Sequence, residues 1–205
     1  MALFTPTYFS PISQYGMLFQ SGNVQFEVED NYQKQTYRNR CYIFGPNGKQ
    51  RLNIPISHPK IEGRKMTKDV LVEENSNWQS QHYKSLKVAY RNSPFFEFYV
   101  DDLYSIFEKK YKYLIDVTID SFEFINDALD LNKTISLTEE YQDSTEEDYR
   151  YLANAKSNQK HTLTPYIQMF DDKYGYLENL SILDLIFMEG PNTISFLEKV
   201  NVTLS

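Results

Sequence analysis

The sequence predicts an α/β fold, with a mixed sheet, helices packed on its faces and one domain over residues 1–205. Three observations predict it. A strand-like, a helix-like and a second strand-like pattern follow one another within the first 30 residues. A turn sequence then separates two apolar-alternating runs. From Trp78 onward the apolar spacing is helical for more than 50 residues.

Residues 2–9 are apolar, with β-branched and aromatic members, and suit a first strand. Pro11 belongs in the first turn of a helix, and Ser10 is its candidate N-cap. Ile12, Tyr15, Leu18 and Phe19 recur at helical spacing, and Gly22 is placed to end that helix. Val24, Phe26 and Val28 alternate with Gln25, Glu27 and Glu29, as in a half-buried strand. Together these predict a βαβ unit with a right-handed crossover.

A hairpin follows. If residues 38–43 form a strand, Asn39, Cys41 and Ile43 share one face, and Arg38, Arg40 and Tyr42 share the other. Gly45-Pro46-Asn47-Gly48 is a turn, in which Pro fixes φ and Gly or Asn accepts φ > 0. Leu52, Ile54 and Ile56 return. Residues 57–68 read as a loop containing Pro59 and Gly63, and 70–72 as a short strand.

Residues 78–91 read as a helix carrying Trp78, His82, Leu86 and Ala89 on one side. Ser93-Pro94 opens another, with a stripe from Phe95 through Phe98, Tyr99, Leu103, Ile106 and Phe107 to Leu114. Residues 117–131 form a third, after a break near Asp116. Strands are expected at 135–138 and 165–170. Residues 142–164 are polar and charge-dense, so mobility is expected there. Helices at 180–188, closed by Gly190, and from Pro191 to Val200 complete the chain.

Composition narrows the function. The chain has 21 Lys and Arg against 28 Asp and Glu, which argues against a general nucleic-acid binder. One cysteine leaves no internal disulfide and fits a reducing compartment. The N-terminus lacks the basic and apolar regions of a signal peptide. No apolar run approaches the roughly 18 residues of a membrane span. A soluble cytoplasmic protein is expected. No phosphate-binding glycine loop, dinucleotide fingerprint, nucleophile elbow or metal-ligand spacing occurs, so no cofactor is named and no metal is expected.

Against this acidic background, residues 31–60 hold six bases and no acid: Lys34, Arg38, Arg40, Lys49, Arg51 and Lys60. Guanidinium forks suit a phosphate or carboxylate. Lys34, Arg38 and Arg40 are the candidate binders, with Gln33, Tyr37 and Asn39 to orient the ligand. The alternative is an edge strand's solvated charges, which discourage sheet-to-sheet pairing. His82 is the candidate general acid or base because its ordinary pKa lies near neutrality. Trp78, one turn earlier, offers a stacking wall. The alternative is a packed histidine beside a core tryptophan. His58 and His161 read as surface residues, Cys41 as a small buried hydrophobe, and Glu29 and Asp30 as a base or an ion-pair partner.

Tyr37-Arg38-Asn39-Arg40-Cys41-Tyr42-Ile43, Gly45-Pro46-Asn47-Gly48 and Leu52-Asn53-Ile54-Pro55-Ile56 resemble the core of the WbqC-like family. So do Trp78-x-x-x-His82, Ser93-Pro94-Phe95-Phe96, Leu180 to Leu185 and Gly190-Pro191. Thr5-Pro6-Thr7-Tyr8-Phe9-Ser10-Pro11 lacks the His and Gln that many members carry there, and Glu29-Asp30 replaces Asp-Asp. The resemblance implies a part in making bacterial O-antigen or another surface polysaccharide. The expected chemistry is group transfer, such as acyl transfer to an amino sugar, on a nucleotide sugar or other anionic precursor. Lys34, Arg38 and Arg40 would then hold the phosphates and His82 would move a proton. The alternative is a non-catalytic assembly protein whose cationic hairpin docks an acidic partner.

Overall fold

The computed structural model describes residues 1–57, 65–156 and 160–203. Its architecture is mixed α/β. β1 (Ala2–Phe4), α1 (Ile12–Gln20) and β2 (Val24–Phe26) form the predicted strand–helix–strand unit, and the two strands pair in parallel. β5 (Ile135–Leu137) adds to β2, also in parallel, giving the order β1-β2-β5. The helix is α1 because Ile12, Tyr15 and Leu18 bury one stripe while Gln20 ends it. Pro11, not Ser10, occupies the N-cap position, and no side chain caps there. At the other end, Ser21 hydrogen-bonds the Met17 carbonyl through both its N–H and its hydroxyl, so the helix stops before Gly22.

The hairpin is β3 (Arg40–Gly45) and β4 (Gly48–Asn53), paired antiparallel from Arg40 with Asn53 to Gly45 with Gly48. Pro46 and Asn47 make the reversal, and Gly48 completes it at φ +94°, a backbone state that glycine reaches without a Cβ clash. The strand begins later than the sequence predicts. Tyr37–Asn39 is a 3-10 turn, so Arg38 and Arg40 do not share a strand face. The predicted mixed sheet is divided: the hairpin and a second antiparallel pair, β6 (Lys160–Thr162) with β7 (Asn201–Thr203), stand apart from the parallel sheet.

α2 (Trp78–Tyr90), α3 (Phe96–Glu108) and α4 (Leu114–Ala128) supply the helical middle. The break falls before Leu114, where Leu71 bridges Tyr113 and the Leu114 N–H donates to the Val70 carbonyl. Residues 70–72 therefore form isolated bridges and no strand. Phe98, placed in the apolar stripe by its spacing, is 76% exposed. No strand forms at 165–170; the chain runs irregularly into α5 (Asp171–Tyr174), then α6 (Ile182–Glu189) and α7 (Thr193–Leu197).

The polar stretch after β5 is held at several points. The Leu3 N–H donates to the Glu147 carbonyl and the Tyr149 N–H to the Leu3 carbonyl, both at 2.8 Å, so residues 147–149 line the free edge of β1. Glu27, fully buried, accepts from the Thr138 hydroxyl and from the Glu29 and Gln142 N–H groups, and pairs with Arg150 at 3.6 Å. One apolar cluster connects the parallel sheet, the hairpin and the helices, and includes Phe4, Phe26, Ile43, Leu86, Val117 and Phe187. His58, Pro59 and Gly63 lie outside the described residues.

Candidate functional site

Three chain crossings meet beyond the carboxyl ends of the parallel strands. β1 leads to Thr5, β2 to Glu29 and Asp30, and β5 to Tyr141. In open α/β sheets this edge is where ligands bind, because the strand-to-helix connections leave a crevice there. The crossings are tied together by backbone pairing. Asn31 bridges Met66, the Tyr32 N–H donates to the Lys65 carbonyl at 2.8 Å, and Thr36 bridges Asn154. Between them lies a cleft of about 880 Å³.

Among the described residues, three cations line it: Arg38, Lys65 and Arg150. The 3-10 turn that displaced Arg38 from β3 is what aims it here. Its Nη2 donates to Asp30 Oδ2, and the Thr67 hydroxyl donates to Asp30 Oδ1 at 2.5 Å. Burial lowers the Arg38 pKa and the Asp30 charge opposes that shift. Nε of Arg38 has no partner. Arg150 is committed: it forks onto Asp148 and donates to the Gln142 and Asp143 carbonyls. Lys65 differs from both. Its Nζ is buried and makes no hydrogen bond, and among the described residues no carboxylate pairs with it. A buried ammonium without a partner is costly, so this atom is the group on the wall that would gain most from contact with an anion.

Tyr32 and Tyr141 give the cleft aromatic walls. Tyr141 lies under the Arg150 guanidinium at 5.5 Å. Asn31, Gln33, Thr36 and Asn154 contribute amides and hydroxyls. Glu29 lines the cleft but is engaged by Lys68 at 2.6 Å. Glu29 and Asp30 therefore both serve as ion-pair partners.

Of the residues singled out by sequence, Arg38, Gln33, Glu29 and Asp30 reach this cleft. Lys34 is exposed and is not on its wall. Arg40 is half-buried, with Nε unpartnered, and its charge acts on the Tyr32 and Tyr37 phenols. Burial pushes the Tyr37 phenol up to about 12, and its ring packs edge-on against Tyr42. Asn39 is buried and structural in its contacts: its amide donates to the Ile54 carbonyl at 2.8 Å.

Trp78 and His82 are in the core. Trp78 is 4% exposed, with Tyr8, His82, Phe107 and Tyr111 around its ring. His82 Nδ1 lies 3.0 Å from the Tyr8 hydroxyl. Burial lowers the His82 pKa to about 4, and a hydrogen bond to the Asn53 backbone opposes that shift. The Tyr8 hydroxyl and Nδ1 are hydrogen-bonded, with the donor set by the imidazole tautomer. The structure does not bring His82 to the cleft that Arg38 lines. Cys41 is buried, and burial pushes its thiol up, as a small hydrophobe requires.

Sequence reasoning missed Lys65 and Arg150. Lys65 sat in a stretch read as loop. Arg150 sat in an acidic run, where one signal was present: it is the single base between Thr138 and Asn154.

A model of the WbqC-like protein family matches residues 6–168. The chain belongs to the WbqC-like family. The matched span of this WbqC-like protein includes every lining residue of the cleft except Thr5. It ends before α6, so the Leu180–Leu185 and Gly190-Pro191 resemblances lie beyond it. We found no match among curated proteins or among solved structures. Among the described residues, no helix is long and apolar enough to cross a membrane, and no group of three His, Cys, Asp or Glu is arranged to hold a metal.

Proposed function

We propose that this WbqC-like protein is a cytoplasmic biosynthetic enzyme that binds an anionic sugar precursor of surface polysaccharide in the Arg38–Lys65–Arg150 cleft and transfers a group on it. The observation that carries this reading is the buried, unpartnered Lys65 ammonium on the wall of a cleft at the carboxyl edge of a parallel sheet. The resemblance to polysaccharide-associated proteins supplies the substrate class. In this reading Arg38 and Lys65 hold the anion, and Tyr32, Gln33 and Asn154 orient the remainder. Trp78 and His82 act at a distance: through Tyr8 they fix the loop that follows Thr5.

A second reading rests on the exposed Lys34, Lys49 and Arg51. These cations face away from the core and suit an acidic protein partner. Thermal-shift measurement separates the two. Sugar acids, sugar phosphates and nucleotide sugars are titrated against wild type, Lys65→Met and Lys49→Gln/Arg51→Gln. A ligand at ~100 Kd adds about 2.7 kcal/mol of stability. Stabilisation by any of these anions that is lost in Lys65→Met and kept in the hairpin variant supports the cleft. No stabilisation by any of them, with an acidic protein bound through the hairpin, overturns it.

A further inference from the structure

The cation inventory of the cleft limits the charge of what it takes. Arg38 is neutralised by Asp30, and Arg150 by Asp148 with help from Glu27. Among the described residues, Lys65 is the lining cation with no counter-charge. Glu29 and Asp30 share the same wall, each already in an ion pair, with Lys68 and Arg38 respectively. Among the described residues, a second negative charge on the ligand would find no further uncompensated cation there. A diphosphate also needs backbone N–H groups or a helix N-terminus converging on it. Among the described residues, no glycine lines the cleft, and its walls are extended chain, turns and short 3-10 segments.

The remaining lining groups are suited to hydroxyls. Asn31 and Gln33 line it with exposed amides. Asn154 adds an amide whose Oδ1 already accepts from the Lys156 N–H, and the buried Thr36 hydroxyl, which donates to the Gln33 carbonyl, keeps its acceptor capacity. Tyr32, and the face of Tyr141 not covered by the Arg150 guanidinium, would stack on the C–H face of a pyranose. Resting on the cleft reading above, we infer that the group recognised is a single carboxylate on a polyhydroxylated ring: a sugar acid, with its carboxylate on Lys65 Nζ and Arg38 Nε. The diphosphate expected from the basic stretch is thereby replaced by a monoanion.

The test uses the full chain and four probes: D-glucuronate, D-glucose, glucose 1-phosphate and UDP. Binding is followed by calorimetry and thermal shift. D-glucuronate is expected to bind and D-glucose, which lacks the charge, to bind at least about tenfold more weakly, as loss of a charged hydrogen bond implies. Lys65→Met is expected to weaken D-glucuronate by about tenfold or more. It also removes an unpartnered buried ammonium, so the ligand-free variant should melt no lower than wild type. That second readout separates loss of a binding group from loss of the fold. Lys65→Arg should retain most of the affinity. Tighter binding of glucose 1-phosphate or UDP than of D-glucuronate overturns the monoanion inference while leaving the anion cleft standing. Equal D-glucuronate affinity in wild type and Lys65→Met, or no binding of any charged probe, overturns both.

Discussion

At the scale of single residues, the energetics are set by buried charges and their partners. Arg38 and Asp30 are 3% and 10% exposed at their side chains and form one ion pair. Removing one member leaves the other buried and uncompensated, which costs about 3–5 kcal/mol. Asp30→Ala is therefore expected to destabilise strongly in urea unfolding, and Arg38→Met combined with it to recover much of the loss. Two further buried groups act on the pH dependence in opposite directions. Asp184 is fully buried, and the hydroxyls of Tyr90 and Tyr166 donate to it at 2.5 Å. Burial raises its pKa from 3.8 to about 6, and those hydrogen bonds oppose the shift. The folded state then binds the proton more tightly, so stability from this group is present at low pH and is lost as pH rises from about 4 to about 6. His82 falls from 6.5 to about 4, so its contribution is present above 6.5 and is lost as pH falls toward 4. In wild type the two slopes oppose each other across one window. Asp184→Asn should leave a stability that rises with pH over that window, and His82→Gln one that falls. Equilibrium unfolding at half-unit pH intervals reads both, and equal slopes in the two variants would contradict the assignment.

At the scale of elements, the hairpin is fastened on several sides. The Ser181 N–H donates to the Tyr42 carbonyl, and the Phe44 N–H donates to the Tyr90 hydroxyl, which itself donates to Asp184. At the tip, the Tyr174 hydroxyl donates to the Pro46 carbonyl. The end of α6 depends on one backbone position. Gly190 has φ +54° and ψ −130°, and a Cβ there would meet the Phe95 ring at 2.5 Å. Both strain and overlap act on any side chain, so Gly190→Ala should cost about 2 kcal/mol or more and lower the melting temperature. An unchanged midpoint would contradict the close approach of the Phe95 ring to Gly190. The elements were legible in the sequence wherever the apolar period was local. α2 was expected at 78–91 and found at Trp78–Tyr90, and β5 was expected at 135–138 and found at Ile135–Leu137. Residues 165–170 had a strand-like composition and no strand to pair with. Residues 147–149 lacked the composition and found the free edge of β1.

At the scale of the molecule, one apolar cluster takes in residues from Ala2 to Val200. The chain is accordingly expected to unfold in one cooperative transition. Trp78, the single tryptophan, lies inside that cluster and reports on it by fluorescence. Its transition should coincide with the loss of helix seen by far-ultraviolet circular dichroism. Separate midpoints would show two units instead of the one domain expected from length. Period, turn chemistry and charge are local properties, so the α/β class, the hairpin and the basic stretch that contributes Arg38 are readable from the residues alone. That His82 is enclosed beside Trp78, that Arg38 turns toward Asp30, and that Lys65 and Arg150 share its cleft follows only from packing. Whether a charge is neutralised depends on its neighbours in space, and those neighbours come from distant parts of the chain.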